Sequence, residues 1–149
     1  MITELVIDSR KITPAEKLNH LSEANDYPRN NLFFALVTDR RNGHDFIQEA
    51  FNKGIRVFLV ETGFEINLAE CQNACFLVVD SPLKALQKLA QTHRKQYSFP
   101  VVGITGSNGK TVVKEWLYEL LQSDFSIHRS PRSFNSQLGV AISLLGVAS

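Results

Sequence analysis

Residues 103–116, GITGSNGKTVVKEW, set the tightest limit on what this chain can fold into. Ahead of them, the β-branched run at 100–105, bounded by Pro100 and glycine, predicts a short buried strand suited to a parallel sheet. Behind them, Val112, Val113, Trp116, Leu117, Leu120 and Leu121 recur at helical spacing and predict one broad apolar face. The loop between strand and helix comprises Gly106, Ser107, Asn108, Gly109, Lys110 and Thr111. Gly106 and Gly109 permit positive φ and a close approach to the backbone, while the first helical turn aims unpaired N–H groups at the same spot. That combination suits a polyphosphate. Lys110 would supply positive charge at the β and γ phosphates, and the Thr111 hydroxyl a ligand for Mg²⁺. The frame GxxxxGK[ST] is not fully met, because Ile104 stands where its first glycine belongs, so the loop is a variant with a shorter glycine frame. The competing reading is an ordinary βα turn that happens to contain GKT.

Composition narrows the partners. The chain has 149 residues, is 44% hydrophobic and 21% charged, and carries a formal net charge of +1, an ordinary globular balance without a nucleic-acid footprint. No stretch approaches the roughly 18 apolar residues of a spanning helix, and MITELVIDSR lacks the pattern of a secretory signal, so a cytoplasmic location is expected, with no membrane or nucleic-acid partner. Cys71 and Cys75 form a lone CxxxC and His20, His44, His93 and His128 are dispersed, so two reduced, partly buried thiols and no zinc set are expected.

Strand and helix patterns alternate along the chain, predicting an α/β fold: strands at 4–7, 32–37, 55–60 and 76–79, and a helix at 44–52 ended by Gly54. Segment 64–74 is loop or a short helix. Ser81 and Pro82 open a helix running to about Tyr97, with Leu83, Leu86, Leu89, Ala90 and His93 along one side. A boundary is expected at 97–100, dividing a small α/β domain, 1–97, from the beginning of a nucleotide-binding parallel-sheet domain, 98–149. Within the latter, 125–128 reads as a second strand and 137–145 as a helix. One βα unit and a fragment cannot supply a sheet covered on both faces, so the second domain is expected to be incomplete here.

TGSNGKT followed by VKEW, the DSR at 8–10, and LFFALVTDRRNGHDFIQEAFNKGIRVFLVE at 32–61 together resemble the Mur ligases of peptidoglycan synthesis over nearly the whole chain. The resemblance implies an N-terminal domain holding the UDP end of a UDP-N-acetylmuramoyl-peptide, a central domain binding ATP, and a C-terminal domain, outside this sequence, that brings the incoming amine. It also implies the reaction: ATP-dependent amide formation in which an acyl phosphate of the peptide carboxylate is attacked by an amine. GKTVVKEW and RSPRSFNSQLGV look most like the members that add D-alanyl-D-alanine to the UDP-muramoyl tripeptide, including the form fused ahead of an alanine racemase.

By the same resemblance, Gly106, Asn108, Gly109, Lys110 and Thr111 match the ATP loop, with Lys110 catalytic and Thr111 toward Mg²⁺. Ser9, beside Arg10, matches a serine lying against the UDP moiety. Thr38, Asp39 and Arg40 match a turn around the uridine and pyrophosphate, and Asn135 a stretch facing the ATP and substrate cleft. The residues alone leave other readings open. Asp8 and Arg10 suit a surface pair, and Asn135 suits a polar cap before the helix at 137. At the level of function the alternatives are a ligase adding the third peptide residue and a non-catalytic module binding a UDP-sugar or nucleotide.

Overall fold

The computed structural model describes residues 4–6, 31–39, 41–65, 67, 69–131 and 136–147. Its chain divides into two compact units, Met1–Ala85 and Leu86–Ser149, the division falling inside a helix.

The first unit is built on a parallel sheet. Strands β1 (Glu4–Val6), β2 (Asn31–Phe34), β5 (Val57–Glu61) and β6 (Cys75–Val79) lie side by side in the order β1-β2-β5-β6. Registers pair Leu5 with Leu32, Phe33 with Phe58 and Phe58 with Phe76. Residues 31–36 are buried without alternation, as expected of a central parallel strand covered on both faces. The Phe33 and Phe58 rings meet edge to face at 6.0 Å and Phe58 stacks on Phe76 at 5.2 Å, giving the sheet an aromatic spine. Helix α1 (Ile47–Asn52) closes one side by burying Ile47 and Ala50 in this core. It stops at Gly54, whose φ of 102° belongs to the left-handed region. The Gly54 N–H donates to the Phe51 carbonyl and the Ile55 N–H to that of Ala50, a pairing that satisfies the last turn.

The expected strand at 32–37 proves to be two things. After β2 the chain turns into a small antiparallel hairpin, β3 (Val37–Thr38) and β4 (Arg41–Asn42), which leads into a 3-10 turn (Gly43–Phe46) ahead of α1. The segment after β5 is loop among its described residues.

In the second unit the prediction for 100–105 requires correction. Residues 101–106 form no strand, and Val101 and Val102 are 57% and 73% exposed. Nor do residues 125–128, where Phe125 is exposed. A strand consists of hydrogen bonds to a neighbour, and neither segment has a neighbouring strand among the described residues. Helices do form. Helix α2 (Pro82–Arg94), whose first turn belongs to the first unit, begins with the Lys84 N–H donating to Ser81 Oγ at 3.4 Å, and helix α3 (Lys110–Leu121) follows the glycine loop. Helix α4 (Gln137–Leu145) is capped by Ser136, whose Oγ accepts from the Gly139 N–H at 3.0 Å. The His93 ring meets the Val147 carbonyl at 2.9 Å, and the Tyr97 hydroxyl donates to it at 3.4 Å, tying the end of α2 to the residue beyond α4. The apolar face predicted for α3 exists, but Val112, Trp116 and Leu120 are exposed on it. Leu89, one of the apolar residues along one side of α2, is also exposed.

Candidate functional site: a glycine loop and a substrate turn

The glycine loop takes the shape its residue types require. Gly106 has a φ of 147° and Gly109 a φ of 77°, backbone conformations that side-chain-bearing residues rarely adopt. Gly109 is the N-cap of α3 and supplies no side chain to cap it, and the first turn carries no acidic residue. The helical ladder opens with the Val113 N–H donating to the Gly109 carbonyl at 3.0 Å, so the amides of Lys110, Thr111 and Val112 precede it. Such an end concentrates partial positive charge. Lys110 adds a full one: its ammonium curls back over the loop and donates to the carbonyls of Gly106 and Ser107. Ser107, Asn108 and Thr111 are exposed. The donor set fits a polyphosphate with a divalent cation at the Thr111 hydroxyl.

The helix behind the loop is anchored by its own polar side. Lys114 donates to the Ser130 carbonyl at 2.8 Å, and Glu115 pairs with Arg129, whose guanidinium lies 3.9 Å from the centre of the Tyr118 ring. The approach to the loop is fixed as well, since Arg94 donates to the carbonyls of Tyr97 and Phe99.

In the first unit, Thr38 and Asp39 lie exposed at the tip of the β3–β4 hairpin. Thr38 Oγ1 accepts the Arg41 N–H at 3.2 Å and donates to the Arg41 carbonyl at 3.2 Å, tying the two strands of the hairpin together. Ser9, Arg10, Arg40 and Asn135 lie outside the described residues.

Sequence reasoning missed one member of this unit, His44. Its ring is 7% exposed and bridges two elements: Nδ1 lies 2.8 Å from Asn42 Oδ1, and Nε2 accepts the Glu61 N–H at 3.1 Å. Because Nε2 is an acceptor, the ring proton sits on Nδ1 and is donated to Asn42. Burial holds the pKa of His44 below its usual value, against the opposing pull of the Glu61 and Asp45 carboxylates. Burial also pushes the Cys71 thiol up, with the Glu70 charge acting in the same direction, and both cysteines are free. The described residues hold no cluster of three or more metal-ligating side chains, and none of their helices is long and apolar enough to cross a membrane.

No protein-family model matches the chain. Among curated proteins it is 39% identical over 123 residues to the UDP-N-acetylmuramoyl-tripeptide–D-alanyl-D-alanine ligase of Rickettsia prowazekii, covering 83% of this chain and 26% of that relative. It is 32% identical over 119 residues to the ligase of the same name from Bacillus subtilis, covering 80% of this chain and 25% of the relative. The chain thus spans about a quarter of the length of these relatives. Among solved structures it resembles MurF from Acinetobacter baumannii, with a TM-score of 0.78 at 26% identity, covering 99% of this chain and 28% of that one. It also resembles the MurF ligase of Thermotoga maritima solved with ADP, with a TM-score of 0.74 at 29% identity, covering 99% of this chain and 30% of that one. The glycine loop, the parallel sheet and these likenesses converge: the chain belongs to the Mur ligase family.

Proposed function

We propose that this chain is part of an ATP-dependent ligase that joins D-alanyl-D-alanine to UDP-N-acetylmuramoyl-tripeptide in peptidoglycan synthesis, with residues 1–97 serving the UDP-linked substrate and 98–149 beginning the ATP-binding domain. The observation that carries the reading is the likeness, over four-fifths of the chain, to ligases named for that reaction. The neighbour solved with ADP supports ATP as the nucleotide.

In this reading the peptide carboxylate is activated as an acyl phosphate and the dipeptide amine displaces phosphate. The chain's own contribution is electrostatic. Gly106, Ser107, Asn108 and Gly109 bring backbone donors to the phosphates, and Lys110 stabilises charge on the transferring phosphoryl group. The Thr111 hydroxyl would hold Mg²⁺, which would offset charge on the phosphates. Ser9, Arg10, Thr38, Asp39 and Arg40 hold the UDP end, and Asn135 faces the cleft. Both nucleotide substrates belong to the cytoplasm, where the enzyme would act.

The test is phosphate release by the complete ligase containing this chain, given ATP, Mg²⁺ and UDP-muramoyl tripeptide. Release that requires D-alanyl-D-alanine is expected. Release with a single amino acid and a UDP-muramoyl dipeptide instead would reassign the enzyme to third-residue addition, and no release with either would leave a binding module.

A further inference from the structure

We infer that His44 is a positioning residue for the UDP-linked substrate, fixing the β3–β4 hairpin to the end of β5 through Asn42 on one ring nitrogen and the Glu61 backbone on the other. The inference rests on the reading that the turn at 38–40 contacts that substrate.

The hairpin is a weak element by itself. Its strands have two residues each, and two-stranded ribbons have little independent stability. Besides the Thr38 bonds at its tip, two features hold it. At its base the Gly43 N–H donates to the Leu36 carbonyl at 2.8 Å, and the backbones pack so closely that a Cβ on Gly43 would lie 2.5 Å from the Leu36 nitrogen. The second is His44. Asn42 Oδ1 accepts both the backbone N–H of His44, at 3.1 Å, and its Nδ1–H. The opposite ring nitrogen takes the N–H of Glu61, the last residue of β5. The Phe64 ring lies 4.4 Å from the imidazole and fixes its plane. Every polar atom of the ring is used, in one tautomer.

That tautomer makes the contact sensitive to protons. Protonation puts an N–H on Nε2, facing the N–H of Glu61, and the contact to β5 is lost. The ring also borders an open pocket of about 150 Å³. Among the described residues, the ionisable groups around the ring are Asp45, Glu61 and, along the same pocket, Glu65, Glu70 and Cys71.

The experiment is steady-state kinetics on the complete ligase with Asn42→Ala, His44→Phe, His44→Gln and Arg40→Ala. Asn42→Ala frees the hairpin at an exposed position and leaves the histidine bond to β5. His44→Phe keeps a ring against Phe64 and removes both ties, and His44→Gln restores a donor and an acceptor. We expect Asn42→Ala and His44→Phe to raise KM for the UDP-linked substrate about tenfold, the worth of one or two ordinary hydrogen bonds. KM for ATP and kcat at saturation should stay unchanged, and His44→Gln should recover most of the loss. In the unsubstituted enzyme the same KM should climb as pH falls below the ordinary histidine range, and the climb should be absent in His44→Gln. The inference is overturned if Asn42→Ala leaves KM unchanged while Arg40→Ala raises it, or if kcat and both KM values shift together. An Arg40→Ala enzyme with normal KM overturns the reading of the turn itself, and this inference with it. Should His44→Phe not fold, Asn42→Ala decides.

Discussion

The ammonium of Lys110 donates to the carbonyl of Gly106, four residues behind it in the chain. This contact keeps the charge over the loop, where a phosphate would lie, and spares part of the entropy that ordering a lysine costs on binding. The same carbonyls are poor competitors for a polyanion, so the lysine can exchange them for phosphate oxygens.

Lys110→Ala in the complete ligase is therefore expected to lower turnover by roughly a thousandfold or more, the worth of a charge on a transferring phosphoryl group. Affinity for UDP-muramoyl tripeptide should be nearly unchanged, because the turn at 38–40, proposed to hold that substrate, belongs to another unit. Product formation and calorimetric binding of the UDP-linked substrate check the two halves, and retention of most activity would sink the role given to this lysine.

Gly109→Ala tests the loop without touching its charge. A Cβ there meets nothing within 4 Å, so the cost is conformational alone: a φ of 77° disfavours an L side chain by about 1–2 kcal/mol. If the backbone yields, the first-turn amides move. The expected result is a raised KM for ATP with an unaltered KM for the UDP-linked substrate, and equal changes in both would argue against a local effect.

How much of this was legible in the sequence depended on how far apart the interacting residues lie. The buried run at 31–36 and the helix stop at Gly54 announce themselves locally, through apolar continuity and a glycine needed at positive φ. So does the glycine loop, whose geometry is set by Gly106 and Gly109. The hairpin at 37–42 did not, because two-residue strands leave no period and its closure depends on the Thr38 hydroxyl. The helical pattern at 44–52 makes His44 the start of a helix, since its partner Glu61 is 17 positions away and no spacing rule connects them; the signal that it differs is the Asn–Gly break before it. At 100–105 the sequence shows strand propensity without showing a neighbour, and propensity alone does not make a strand.

Phe58→Ala should destabilise the first unit by about 3–5 kcal/mol, the usual cost of removing a buried phenylalanine. Phe58 is fully buried and its ring contacts both Phe33 and Phe76, so truncation opens a cavity across three adjacent strands. Urea unfolding followed by circular dichroism measures this. A loss below about 1 kcal/mol would mean that the core collapses around the gap.

The lowered pKa of His44 gives stability a definite pH dependence. Its folded value lies below the ordinary one, so between the two the unfolded chain binds more protons and stability rises with pH. The contribution is complete above the ordinary histidine range and is lost as pH falls through the folded value. The urea midpoint should therefore drop on acidification into that window, and drop less in His44→Gln. Identical pH profiles for the two proteins would show that the ring does not titrate differently on folding.

The 149-residue chain produced by itself should bind UDP-muramoyl tripeptide detectably and ATP weakly or not at all. The first unit has its own core, in which Phe33, Ala50, Ile55, Phe58 and Val60 are essentially inaccessible, so the hairpin rests on a packed support. The glycine loop in the second unit has no such support: Val101 and Val102 precede it exposed and unpaired in any sheet among the described residues, and α3 behind it buries no residue. Loop amides stabilise phosphate only when held in place, and Mg²⁺ binds through few protein ligands even in complete sites. Calorimetric titration with each ligand separates the two units. Tight, Mg²⁺-dependent ATP binding would show that the loop conformation set by Gly106, Gly109 and the Lys110 contacts is sufficient by itself, without a flanking sheet.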